Sequence, residues 1–94
     1  MKGKSIYKVP DGKLLKVSLE TDGDKIKSIM ITGDFFMHPE TGIELIESKL
    51  KGQNIGDEIV GVIDKAVEAN SIEMFGLDSK ALLEAIKMAK EAAK

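Results

Sequence analysis

The sequence predicts an α+β fold, a three-stranded antiparallel meander followed by three helices packed on one face of the sheet. Three observations carry this expectation. Leu15, Val17 and Leu19 alternate with Lys16, Ser18 and Glu20, the period of a strand with one buried face. Two turn signals, Pro10-Asp11-Gly12 and Asp22-Gly23, bracket that strand. Beyond Gly33 the apolar residues recur at helical spacing, as in Ile43, Ile46 and Leu50. A chain of 94 residues has room for one core, so residues 1–94 are read as a single domain.

The first strand, Ile6 to Val9, enters a turn whose length leaves open which way Tyr7 and Val9 face. Lys13 to Thr21 is the central strand and Lys25 to Thr32 the third. With Asp22 and Gly23 as a type I′ loop, Glu20 faces Lys25 and Leu19 faces Ile26, but strict pairing then sets Val17 against Ser28. The apolar set would be split. One extra residue at Lys27-Ser28 restores Val17 opposite Ile29 and Leu15 opposite Ile31, so a β-bulge is expected there.

Pro39 to Lys51 is the first helix, with Glu40 and Glu44 early, Lys49 and Lys51 late, and Gly52 as its stop. The second has the widest stripe, Ile55, Ile59, Val62, Ile63, Ala66 and Val67, with Asp57 and Glu58 in its first turn, and is read as the central core helix. Gly61 in its middle costs up to about 1 kcal/mol relative to alanine. That points either to a close crossing of another element at Gly61 or to drift. Ser71 to Leu77 is a connector. Asp78 is the expected N-cap of a last helix running to about Ala93, with Leu82, Ala85, Ile86, Ala89 and Ala93 on one stripe.

Composition excludes several classes of function. Cysteine is absent, which removes disulfides, thiolate nucleophiles, zinc-thiolate sites and iron-sulfur ligation. All 14 cationic side chains are lysine, so the bidentate guanidinium fork is missing. With 16 acids and a net charge of -2 there is no basic surplus to displace counterions from a polyphosphate, and nucleic-acid binding is not expected. The longest strictly apolar run is three residues, against the roughly 20 of a membrane helix. Met1 to Pro10 has no apolar signal block, so a soluble, cytoplasmic location without membrane association is expected.

The catalytic inventory is thin and no catalytic residue is assigned. His38, the sole histidine, sits between Met37 and Pro39, where an exposed or capping role is the default, and with Glu40 it offers only two ligands, so no metal site is expected. The turn Asp22-Gly23-Asp24 lacks the later oxygens of a calcium loop. Gly52 to Gly56 lacks the ending of a phosphate loop, and Asp57 and Glu58 already occupy the helix N-terminus behind it. Pairs such as Glu47 with Lys51 are read as solvated faces. One stretch stands out. Gly33-Asp34-Phe35-Phe36-Met37-His38-Pro39 sets two of the three phenylalanines and a methionine at a strand-to-helix junction, where alternation buries one ring and exposes the next. Either the exposed aromatic forms a contact surface, or both rings cap the open end of the sheet while Asp34 bonds its own turn. Gly33, Asp34, Phe35, Phe36, Met37 and His38 are the candidate partner-interface residues.

The run Lys8-Val9-Pro10-Asp11-Gly12-Lys13-Leu14-Leu15-Lys16-Val17, followed by Ile29-Met30-Ile31-Thr32-Gly33-Asp34-Phe35-Phe36, resembles the small C-terminal domain of lipoate-protein ligases. Gly-Lys-Leu-Leu and Gly-Asp-Phe-Phe are its most specific pieces. The likeness extends through the helix around Ile55 to Val67, about two thirds of the chain, while the last helix matches only in character. In some archaea this domain is a separate accessory subunit. The resemblance implies an α+β fold shared with iron-sulfur scaffold proteins, and a heterodimer in which the large subunit holds ATP, magnesium and lipoate. The family's paired arginines cannot exist in this chain, which is therefore expected to bind no cofactor itself and to be the helper rather than the catalytic half.

The family joins lipoate to ATP as lipoyl-adenylate and passes the lipoyl group to a lysine of a lipoyl domain or of the glycine-cleavage carrier protein. Its small domain is implied to serve adenylate formation as a lid that closes the active site and moves away for transfer. Two rivals stand beside that expectation. Scaffold and sulfur-acceptor proteins of the same fold work through cysteines, which this chain lacks. A pure docking module would recruit the acceptor domain without affecting adenylation.

Overall fold

The computed structural model describes residues 1–10 and 12–93; Asp11 of the first turn and Lys94 lie outside the described residues. Strands β1 (Lys2–Lys8), β2 (Leu14–Asp22) and β3 (Lys25–Gly33) form an antiparallel sheet in the order β1-β2-β3. Helices α1 (Gly42–Leu50), α2 (Glu58–Ala69) and α3 (Ser79–Glu91) follow, so the expected meander and three helices are both present. One element departs from expectation. A second, two-stranded ribbon pairs β4 (Phe36–His38) with β5 (Glu73–Phe75), the latter inside the segment expected to be a plain connector. Three-residue strands are too short to show a period. Among the described residues no helix is long and apolar enough to cross a membrane.

Strand β1 begins four residues before the expected Ile6, because its inward positions are small instead of apolar. Gly3 and Ser5 face inward beneath α3, and Ser5 Oγ donates to the Ala85 carbonyl at 2.7 Å. The register settles the first hairpin: Tyr7 pairs with Leu15, and Tyr7 and Val9 both turn toward the core. The second hairpin carries the expected bulge. Thr21 pairs with Ile26 and Glu20 with Ser28, leaving Lys27 as the extra residue, so that Ile26, Ile29 and Ile31 share the core side. The pairs themselves differ from expectation, Val17 facing Ile31 and Leu19 facing Ile29. The cause is the loop: Asp22 pairs with Lys25, so the turn is Gly23-Asp24, and only Gly23 has positive φ, the pattern of a type II′ loop with glycine first.

Helix α3, and not α2, lies across the sheet, on β1 and β2; α1 packs on β3, and α2 packs on α1 and α3. Leu82, Ala85, Ile86 and Ala89 are fully buried, and the two alanines let α3 approach the strands closely. The N-cap expected for this helix is present, Asp78 Oδ1 accepting from the Ala81 N–H at 2.7 Å. The close crossing expected at Gly61 is absent. A β-carbon there meets nothing within 4 Å, whereas one on Gly3 would collide with the Ala89 carbonyl oxygen and lie 2.8 Å from the Ala93 nitrogen. Gly61→Ala should therefore stabilise the chain by about 1 kcal/mol. Thermal unfolding would show a rise of several degrees, and no rise would mean that Gly61 has a packing role after all.

The edge of β3 is covered by the chain itself. Ile26 N–H donates to Gln53 O at 2.9 Å, Gly52 N–H to Ile26 O at 2.7 Å, and Ile31 N–H to Glu47 Oε2 at 2.7 Å. Glu47, expected to sit on a solvated helix face, thus closes a strand donor. Two exposed ion pairs tie α3 to neighbouring segments, Lys90 with Asp24 at 2.6 Å and Lys87 with Asp57 at 3.0 Å. The Lys90 hydrogen bond, then its charge, holds the Asp24 carboxyl below the ordinary carboxylate value. A lowered carboxylate pKa contributes stability above the ordinary value and loses it as pH falls through the lowered one. In Lys90→Ala, the Asp24 carboxyl followed by NMR should titrate at the ordinary, higher pH, with little change in stability at pH 7 because the pair is solvated.

Candidate functional site

Gly33 ends the sheet at φ +150, where a β-carbon would collide with the Leu14 carbonyl oxygen, and the next N–H, of Asp34, donates to that same oxygen at 3.0 Å. This bend lifts the chain out of the sheet and into β4. There the expected alternation holds: Phe35 is half-buried against the core, Phe36 is 59% exposed and Met37 is buried. Strand β5 completes the face, with Phe36 opposite Phe75, Met37 opposite Met74 and His38 opposite Glu73. Alternation places Phe36, His38, Glu73 and Phe75 on one side of the ribbon.

The site is thus a pair of phenylalanine rings in the open, Phe36 at 59% and Phe75 at 50% exposure, their centroids 6.2 Å apart and their planes tilted by 52°. An imidazole and a carboxylate flank them. Of the candidate interface residues, Phe36 and His38 lie on this outer side, and Gly33 and Asp34 form the exposed bend beneath it. Phe35 is divided between surface and core. Met37 points the other way: its sulfur stands where a β-carbon on Gly42 would come within 3.0 Å, and it is a core residue with no surface to present.

Phe75 and Glu73 were not legible as site residues. Their only signal was an apolar pair, Met74-Phe75, ahead of Gly76, whose φ of +90 turns the chain toward the Asp78 cap. Gly76 O also accepts from the Lys13 N–H at 3.2 Å, so the ribbon is anchored to the first hairpin. Among the described residues no three His, Cys, Asp or Glu side chains lie together in a way that could hold a metal ion. What the arrangement can do is bury aromatic area against another surface.

No protein-family model matches the chain. Over 42 residues it is 50% identical to lipoate-protein ligase A subunit 2 of Thermoplasma acidophilum, a match that spans 45% of this chain and 45% of that relative. The fold is matched far more widely, by a chain from the solved structure of an archaeal lipoylation system, a bipartite lipoate protein ligase and its E2 lipoyl domain from the same organism. The two superpose with a TM-score of 0.79 and 31% identity over 92% of this chain and 94% of the other. Sequence and fold agree, and the chain belongs to the family of small subunits of bipartite archaeal lipoate-protein ligases.

Proposed function

We propose that this chain pairs with a separate large chain carrying the catalytic site of a lipoate-protein ligase, and that it is required for ATP-dependent formation of lipoyl-adenylate before the lipoyl group passes to a lysine of a lipoyl domain. The observation that carries the pairing is the exposed Phe36–Phe75 couple. Two rings held at the surface of a short ribbon, with Met37 and Met74 anchoring its other side, form a preorganised apolar knob suited to a lasting interface. Asp34, His38 and Glu73 then lie at the rim. ATP, magnesium and lipoate belong to the large chain in this reading, in keeping with the absence of arginine here. The small subunit acts as a lid that excludes water while the adenylate forms.

Pyrophosphate release from ATP and lipoate, followed with the large chain alone and with both chains, tests this directly. The adenylation rate is expected to depend on this chain, while transfer from preformed lipoyl-adenylate to a saturating lipoyl domain depends on it much less. Dispensability in the first reaction combined with a requirement in the second would show instead a module that only recruits the acceptor.

A further inference from the structure

We propose that the outer face of the sheet is a second docking surface, built for an acidic protein surface, and that its occupant is the acceptor lipoyl domain. The strand pairings place Lys2, Glu20 and Ser28 in one outward row, Lys4, Ser18 and Met30 in the next, then Ile6, Lys16 and Thr32, and finally Lys8 beside Leu14. With the Asp22–Lys25 row at the hairpin end, five lysines meet two carboxylates there, and one of those carboxylates, Glu20, lies 3.4 Å from a further lysine, Lys27. The segregation runs against composition. Residues 1–33 carry seven lysines and four acids, whereas residues 34–94 carry seven lysines and twelve acids.

A solvated sheet face needs polar side chains but not side chains of one sign, and the register keeps every lysine of β1 from standing directly opposite the lysine of β2. Protection of a free edge accounts for lysines on β1. It does not account for Lys16, which stands on the central strand. Between the lysines, Ile6 is 62% and Met30 is 61% exposed, and an open concavity at the Lys2 end of the sheet is lined on its outer side by Lys2, Lys4, Ser18 and Met30, and reaches inward to Gly3 and Leu19. The face therefore offers positive charge for steering and two apolar side chains for contact.

The occupant follows from the chemistry. No ring or arginine on this face could stack on or fork a nucleotide, which leaves an acidic protein as the better complement. The aromatic ribbon is the apolar surface suited to a permanent partner. A lysine face gives fast, salt-sensitive association, suited to a partner that arrives and leaves in every cycle. The inference rests on the function proposed above, in which the acceptor is that transient partner.

The test uses the assembled heterodimer and the apo lipoyl domain of the same organism, with the double variant Lys4→Glu, Lys16→Glu. Both positions are exposed, and an unchanged unfolding temperature confirms that the variant folds. The Kd for the lipoyl domain should weaken about tenfold or more in the variant at low salt. Heterodimer assembly and pyrophosphate release should be unchanged. Raising NaCl from about 50 to about 300 mM should weaken the wild-type complex and affect the variant much less. An unaltered Kd overturns the proposal. So does loss of heterodimer assembly in the variant, which would give this face to the large chain, and so does tight wild-type binding of a single-stranded oligonucleotide in place of the lipoyl domain. If the wild-type chains do not assemble at all, it is the reading of the function that falls, and this one with it.

Discussion

Gly3→Ala should lower the stability of the chain by about 1–3 kcal/mol or more, the range of an overpacked core position, although Gly3 is the third residue and its substitution adds one methyl group. The added carbon would meet the backbone of α3 at Ala89 and Ala93, atoms that cannot rotate aside as a flexible side chain can. Relief requires either that α3 slide along the sheet or that its last turn unwind. Sliding disturbs Leu82, Ala85 and Ile86, all fully buried, and strains the 2.7 Å bond from Ser5 Oγ to the Ala85 carbonyl. Unwinding exposes Ala89. Alanine in place of glycine also narrows the unfolded ensemble, an opposing gain of about 0.4–1 kcal/mol that the clash has to exceed. Urea unfolding measures the net effect, and a midpoint at or above that of the wild type would show that α3 does not lie against β1 at Gly3. The contrast with Gly61→Ala makes the test sharp, because the same substitution is expected to act with opposite sign at the two positions.

The pair of glycines also shows which parts of the fold were legible in the sequence. Alternation in β2 revealed a strand with one buried face, and the demand that Ile26, Ile29 and Ile31 share that face revealed the bulge at Lys27-Ser28. The register was not legible. Moving the two-residue loop from Asp22-Gly23 to Gly23-Asp24 shifts every pair by two positions, which returns each side chain to the same face and leaves the hydrophobic pattern blind to the difference. Which helix lies on the sheet was not legible for a related reason. The breadth of an apolar stripe reports how much of a helix is covered and not what covers it, so the wide stripe of α2 marked a core helix without showing that α1 and α3, and not the sheet, cover it. Within the site, the step from Phe35 to Phe36 to Met37 was legible as alternation. Phe75 was not, because the partner of a three-residue strand is chosen by the tertiary fold and leaves no local period.

Phe36→Ala should weaken assembly with the large chain by about 2 kcal/mol or more, roughly thirtyfold in Kd, if the aromatic couple is the centre of that interface. The fold should change little. Phe36 is mostly solvated, so what the isolated chain loses is chiefly its tilted contact with Phe75, worth about 0.5–1.5 kcal/mol at most. Phe35→Ala is the control with the opposite balance, since its ring packs partly against the core and its loss is felt first in unfolding. Because Phe36 and Phe75 face each other across the ribbon, their contributions to assembly are not independent. Truncating either ring leaves the other without its neighbour, and the double variant should cost less than the sum of the two single ones. Calorimetric titration of the large chain with the three variants measures that coupling. Additive losses would mean that the rings contact separate places on the partner, and wild-type affinity in both single variants would remove the couple from the interface altogether. A site read from exposure alone is thereby tied to a pairwise energy, a quantity that scattered surface phenylalanines, each making its own small contact, would not produce.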